Sequence, residues 1–442
     1  MSPASELTLT VLGFGMVAAF MTLIMLRRLT PMVALIVTPV IFGLIAVRLG
    51  YGGPLGPMII DGVKTLAPTG VMLMFAILFF GLMTDAGLFD PLVGAIIRLV
   101  HGDPLRITLG TVVLAALISL DGDGSTTYII SCAALLPLYG RLGMNRLHLT
   151  TLLMLVSGVM NLTPWGGPTA RAASALHLDV GELFAPLIPA MLAGLVALAG
   201  LAWMFGRRER ARLGVLAAPD RSPAGEIFVS QDPRHRRPRL FWFNAALTAA
   251  LLAGLVLGVL PLPVLMMLAT AIALVVNYPS LEDQKDRLAA HAGAALAVAA
   301  LIFAAGVFTG VLGGTGMVGA MSHAVTRALP ASLGPYMAPI TAALSLPFTF
   351  FISNDAFYFG VLPVLAEAGG HFGVPPLAIA RASLIGQPFH LLSPLVPSTY
   401  LLVSLAGVEL SAHQKAAALW AVAVCLVMGV AAVLVGAFPF AA

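Results

Sequence analysis

Four polar interruptions in otherwise apolar sequence hold the residues that could do chemistry. The first, Asp121, Gly122, Asp123, Gly124, Ser125, Thr126 and Thr127, sets two carboxylates, two glycines and three hydroxyls side by side. The second runs from Asn161 through Thr163, Pro164, Trp165, Gly166, Gly167 and Pro168 to Thr169, with Arg171 two residues on. The third is Ser353, Asn354 and Asp355; the fourth runs from Gln387 through His390, Ser393, Pro394 and Pro397 to Ser398 and Thr399. Carboxylates, hydroxyls and freed carbonyls are oxygen donors that suit hard cations such as Mg²⁺, Ca²⁺ or Na⁺. Backbone N–H groups at glycines and helix starts suit carboxylates or phosphates. The breaks hold no His/Glu metal cluster, nucleophile elbow or phosphate loop, so binding and release of ions fits them better than catalysis.

The elements that position these residues are membrane helices. Of 442 residues, 60% are apolar and only 10% are charged, against roughly 25% charged in a soluble domain; mean hydropathy is +1.00. Secreted, nuclear and cytosolic classes are excluded. Residues 71 to 80 and 246 to 260 are apolar on all sides, whereas barrel strands alternate. The net charge of +4 comes from basic residues at span ends and in one linker, which is a topology signal and not a nucleic-acid surface. Cys132 and Cys425 are far apart in apolar surroundings and read as small core residues. The segment Met1 to Leu7 lacks the basic start of a cleavable signal, so the first span is expected to be permanent.

Apolar runs place spans near 7 to 26, 31 to 49 and 68 to 84, an amphipathic stretch at 88 to 101, a re-entrant hairpin at about 107 to 139, a broken helix at about 147 to 176 and a span at 184 to 205. Residues 206 to 240 form a basic linker with nine Arg. Spans follow at 241 to 259, 261 to 277 and 291 to 310, then an amphipathic stretch at 316 to 327, a hairpin at about 337 to 368, a broken helix at about 376 to 405 and a last span at 414 to 438. The order of features occurs twice. At one common offset Gly143 falls on Gly373, Leu162 on Leu392, Thr163 on Ser393 and Pro164 on Pro394. The expected fold is therefore an all-α polytopic membrane protein of two repeats, 1–205 and 241–442, each with five crossings, a hairpin and a broken helix. An odd number of crossings inverts the second copy. Positive-inside counting puts the linker in the cytoplasm and both termini outside.

Broken helix at membrane depth is tolerated only where it lines a cavity or is buried in protein. Two hairpin tips and two breaks meeting near the midplane would enclose one polar site. Gly124, Ser125, Thr126, Gly167, Thr169, Arg171, Ser353, Asn354, Ser398 and Thr399 are the candidates for contacting an anionic substrate. Asp121, Asp123, Asp355, Asn161, Thr163, Ser393 and His390 are those for holding a metal cation or a coupling proton. Alternatives stand for two of them: Arg171 forks onto a substrate carboxylate, or neutralises Asp121 or Asp123, or snorkels; His390 titrates, or is a hydrogen-bonded structural residue. Asp85, Asp90 and Glu367 sit near span ends and are read as interfacial caps or inter-helix partners.

The segments Leu120 to Thr127, Leu135 to Leu138, Arg141 to Asn145 and Gly158 to Arg171 resemble the CitMHS family of citrate-metal:proton symporters. The resemblance is dense from about 107 to 180 and implies inner-membrane uptake of citrate complexed with a divalent cation, driven by protons, with no permanently bound cofactor. It also implies kinship with the divalent anion/sodium symporters, which are homodimers with a moving transport domain and carry Ser-Asn-Thr at both tips. Here the aligned residues are Asp123, Gly124, Ser125 and Ser353, Asn354, Asp355. Each tip gains an Asp, which favours a proton or metal partner over sodium. The rival readings are a sodium-coupled di- or tricarboxylate carrier and an oxyanion exporter.

Overall fold

A computed structural model describes residues 3–100, 102–122, 124–214 and 233–442; Asp123 lies outside them, as does the side chain of Asp121. Among the described residues all regular structure is helical. The first half runs α1 (Pro3–Met25), α2 (Pro31–Arg48), α3 (Leu55–Asp85) and the short amphipathic α4 (Asp90–Val100). A hairpin of α5 (Pro104–Ile118) and α6 (Gly124–Leu142) follows, then a crossing broken between α7 (Arg146–Met160) and α8 (Gly167–Leu176), then α9 (Val180–Phe184) and α10 (Ile188–Leu213).

After the linker come α11 (Phe241–Leu257), α12 (Leu262–Asn277), α13 (Leu281–Gly314) and α14 (Met317–Ala328), which open the second half. Its hairpin is α15 (Met337–Phe351), a π turn at Ala356–Val361 and α16 (Leu362–His371). Its broken crossing is α17 (Pro376–Ser383), α18 (Gln387–His390) and α19 (Pro397–Ala406), and α20 (Leu410–Leu434) closes the chain. Seven described helices are long and apolar enough to cross a membrane, whereas α5, α7, α12 and α19 are apolar but shorter. For α5, α7 and α19 the shortening is the break itself, because the polar interruption stops each arm partway.

Helix starts follow local chemistry. Thr30, Asp103, Asn145, Asp179 and Ser280 each accept a backbone N–H of the first turn of the helix they precede, satisfying a donor with no intrahelical partner. Two helices start earlier than hydropathy suggests: α3 at Leu55 instead of 68, and α13 at Leu281 instead of 291. Their polar first turns, with Asp61 and Lys64 or Glu282 to Arg287, remain helical because a helix of 31 residues is about 46 Å long and overruns a hydrocarbon layer of about 30 Å.

These two long helices form the centre of the bundle. Gly62 of α3 lies against Gly306 and Gly310 of α13, so closely that a Cβ on Gly310 would stand 3.1 Å from the Gly62 Cα. Gly81 faces the His291 ring and Gly314 faces Met58, a register that makes the pair antiparallel. Small residues permit such backbone approach, which is how helices gain packing energy in lipid. Asp85 then ties the linker-side ends together, at 3.0 Å from Arg287 and 2.8 Å from His291. Asp85 is thus an inter-helix partner, as its position near a span end suggests.

Contacts sort the helix ends onto two faces. On the linker face the Arg237 N–H donates to the Ala86 carbonyl at 2.9 Å and Arg146 donates to Ala406 at 3.2 Å. On the other face Glu6 pairs with Arg327 at 3.0 Å and the Ala442 N–H donates to Pro335 at 2.9 Å. Both chain ends therefore lie opposite the linker.

Outside the spanning segments, Asp103 caps α5 and pairs with Arg210 at the polar end of α10, with Nε–Oδ1 at 2.9 Å. The Arg210 guanidinium, against the opposing effect of burial, holds this carboxyl below its ordinary 3.8. A depressed carboxylate stabilises the fold above the unfolded value and loses that contribution as pH falls through the folded one. The melting temperature of the purified protein should therefore fall as pH drops below 3.8, and Asp103→Asn should remove that part of the profile. An unchanged profile in the variant would contradict the assignment.

Candidate functional site

Both breaks are built by the same local bonds. The Thr169 hydroxyl donates to the Leu162 carbonyl at 3.0 Å, and the Thr399 hydroxyl donates to Leu391 at 2.5 Å. Each loop is thereby closed on itself, and both hydroxyls are fully buried, so they brace the breaks from within. The breaks also hold the hairpins. Trp165 Nε1 donates to the Leu120 carbonyl at 2.8 Å, and the Ser393 hydroxyl donates to the Phe350 carbonyl at 2.6 Å. Leu120 and Phe350 end the first arms of the two hairpins, where helix carbonyls lack intrahelical partners. His390 Nδ1 lies 2.6 Å from the Thr349 carbonyl. A carbonyl only accepts, so the proton sits on Nδ1 and the ring is a buried brace in this geometry.

The second arms face the opposite halves. α8 packs on α16 and the π turn of the second hairpin, α19 packs on α6 of the first, and α18 crosses α7. At that crossing a Cβ on Gly158 would stand 2.5 Å from the Pro388 Cα. At the α6–α19 contact a Cβ on Gly124 would stand 3.7 Å from the Ser398 hydroxyl, which brings these two predicted residues together.

The α8 contact carries the charge of the site. Arg171 Nε lies 2.6 Å from Asp355 Oδ1, with side chains 21% and 12% exposed. The cation of one half is thus paired with the carboxylate of the other; Asp123 and the Asp121 side chain, which one reading of Arg171 invoked, lie outside the described residues. The Ser353 hydroxyl accepts the Ala356 N–H at 3.2 Å and starts the second arm. Asn354 exchanges hydrogen bonds of 3.3 and 3.4 Å with Gln387, whose amide also donates to the Tyr358 hydroxyl at 2.9 Å. Thr163 is buried and, among the described residues, its hydroxyl has no hydrogen-bond partner.

A cavity of about 890 Å³ begins at Gly122, Thr126, Trp165, Gly167 and Arg171 and runs between α3 and α13 to Asp85, Arg287 and His291. Along α3 it extends from Leu73 to Asp85, about 18 Å at 1.5 Å per residue, and Arg234 and His235 also line it. Gln387, Tyr358 and Trp165 are the contributors that sequence reasoning left unassigned. For Gln387 the signal was present: an amide in an apolar crossing must find a partner.

Two helical hairpins and two interrupted helices close on a charged pair beside a cavity, in a chain with seven described helices long and apolar enough to cross a membrane. The family comparison is specific: residues 7–386 match the citrate transporter model, CitMHS, and the chain belongs to that family of secondary transporters. A citrate transporter of Bacillus subtilis (strain 168) is 56% identical, over 98% of this chain and 100% of its own length. A Mg(2+)/citrate complex secondary transporter of the same organism is 49% identical, over 97% and 99%. Among solved structures, the YdaH transporter of Alcanivorax borkumensis aligns with a TM-score of 0.57 at 16% identity, covering 86% of this chain and 89% of that one; it shares the fold.

Proposed function

We propose that this protein imports citrate as a complex with a divalent cation, of the Mg²⁺ or Ca²⁺ type, driven by inward protons. The observation that carries this reading is the Arg171–Asp355 pair, a cation and a carboxylate from opposite halves beside a cavity. It is supported by relatives named for citrate and for its Mg²⁺ complex. A divalent ion cancels two of the roughly three charges of citrate and lowers the cost of desolvating it. Arg171 then receives a citrate carboxylate, with Gly124, Ser125, Thr126, Gly167, Ser353, Asn354 and Ser398 around the ligand. Asp121 and Asp123 hold the metal together with oxygens at Asn161 and Thr163, and Asp123 or Asp355 carries the proton. Thr169, Thr399, Ser393 and His390 keep the breaks and hairpin arms in place.

In this reading the two halves are inverted copies, which the antiparallel α3–α13 pair supports. The hairpins and broken crossings form an elevator-like moving part, the scaffold is shared by two protomers of a homodimer, and the protein lies in the cytoplasmic membrane with the linker inside and both termini outside.

The test is uptake of labelled citrate into proteoliposomes with Mg²⁺, Ca²⁺, Zn²⁺ or EDTA outside and an imposed proton or sodium gradient. Uptake requiring both metal and protons is expected. Metal-independent uptake driven by sodium would overturn substrate form and coupling together. Gln387→Leu, which frees Asn354 and the Tyr358 hydroxyl at a cost of about 1–3 kcal/mol, should raise the KM for citrate about tenfold while Gln387→Glu, which still reaches Tyr358, loses less. Equal KM in both variants and wild type would remove Gln387 from the site.

A further inference from the structure

Resting on that citrate reading, we propose that Asp355 is the group that carries the coupling proton and that Arg171 controls its loading, releasing Asp355 to a proton when a citrate carboxylate arrives. The geometry begins with how the guanidinium is used. Its Nε edge faces Asp355, while Nη1 lies over Gly167, at 2.5 Å from where a Cβ would stand, and the side chain lines the cavity. A guanidinium offers five donors, and among the described residues the terminal pair of nitrogens has no hydrogen-bond partner, so it can grip a second carboxylate at two points.

Charge accounting supplies the coupling. Before the ligand arrives, Arg171 and Asp355 cancel within their pair, and Asp121 and Asp123 answer to the metal, not to Arg171. A citrate complex with one divalent ion still carries about one negative charge, and an unbalanced charge at membrane depth costs at least about 2.5–3.5 kcal/mol on insertion scales. One cation then serves two carboxylates. Citrate holds the two-point edge and Asp355 a single Nε bond, so the proton that rebalances the charge around Arg171 goes to Asp355. When the complex leaves, Arg171 belongs to Asp355 alone and the proton departs.

The surroundings of Asp355 favour this assignment. Arg171 on α8 pairs with it, and His390 on α18, with its ring on the Thr349 carbonyl, stands within electrostatic reach of both; Tyr358 of the same turn bonds to Gln387. Of the other elements packed on this turn, α15 has no charged residue, and the charges of α1, α13 and α16 lie toward helix ends, at Glu6, Glu282 to His291, and Glu367 with His371. The pair also spans the seam between the halves, so one binding event acts on both.

The experiment measures protons taken up when preformed Mg²⁺-citrate binds to the purified, detergent-solubilised carrier in weak buffer with an indicator dye, alongside calorimetric binding. Wild type is expected to take up about one proton per citrate. Asp355→Asn should still bind citrate with no proton uptake, and Asp355→Glu should keep the uptake with a shifted pH midpoint. If Asp355→Asn does not fold, an unshifted midpoint in Asp355→Glu overturns the inference. Uptake that persists in Asp355→Asn and vanishes in Asp123→Asn overturns it while leaving proton coupling intact. Wild type that binds citrate without proton uptake removes the coupling, and wild type that binds no citrate removes the underlying reading.

Discussion

Arg171→Gln should reduce citrate uptake by at least about 30-fold, through lost binding more than lost protein. Removing one partner of a buried, hydrogen-bonded charge pair costs about 2–5 kcal/mol, and the lower end applies here because both side chains keep some exposure. The same substitution strands Asp355 without its cation, so stability should drop by about 2–3 kcal/mol, below the range for a fully buried pair. Arg171→Lys keeps the charge and loses the planar fork, so it should lie between. Arg171→Gln with Asp355→Asn should regain most of the stability and none of the binding. Melting curves and citrate titrations on the four proteins separate the two effects. Recovery of binding in the double variant would show that the pair is only structural.

Gly158→Val should be the most damaging change away from any charge. The crossing of α7 and α18 brings backbone to backbone, with Pro388 Cα at 2.5 Å and Pro388 N at 3.0 Å from the position of the missing Cβ. Neither neighbour is a flexible side-chain end, so the two helices must separate. Overpacking of this kind costs about 1–3 kcal/mol and more where backbone must move. α7 leads to the first break and α18 leads into the second, so separation also shifts both cradles of the site. Transport should fall by more than about tenfold with a lower melting temperature, whereas Gly140→Ala on α6, where a Cβ meets nothing within 4 Å, should leave both unchanged. A Gly158→Val protein with normal KM and melting would mean that the crossing tolerates rearrangement.

The course of the chain was legible because the breaks advertise themselves. Pro and Gly amid apolar sequence mark where helix stops in lipid, and the observed interruptions of α-helix fall at 119 to 122, 161 to 166, 352 to 353 and 391 to 396. Hydropathy misplaced the starts of α3 and α13, since it reports where lipid ends and not where helix ends. The pairing of Arg171 with Asp355 was not legible, because 184 residues separate them and local sequence says nothing about which half-helix meets which tip. The same limit applies to Thr169 and Thr399. Their residue type suits a ligand, but a carbonyl seven or eight residues back is nearer. His390 shows the converse: of its two readings, the geometry realises the hydrogen-bonded one, through a carbonyl of the neighbouring hairpin arm.

The most direct test of the central claim, one ligand site shared by both halves, is a density map of the carrier with Mn²⁺-citrate bound. Citrate is expected against the terminal nitrogens of Arg171, between Gly124 and Ser398 on one side and Asn354 on the other, with the metal toward the first hairpin tip. Citrate seated instead at the far end of the cavity among Asp85, Arg287 and His291, with the Arg171–Asp355 pair undisturbed, would contradict it.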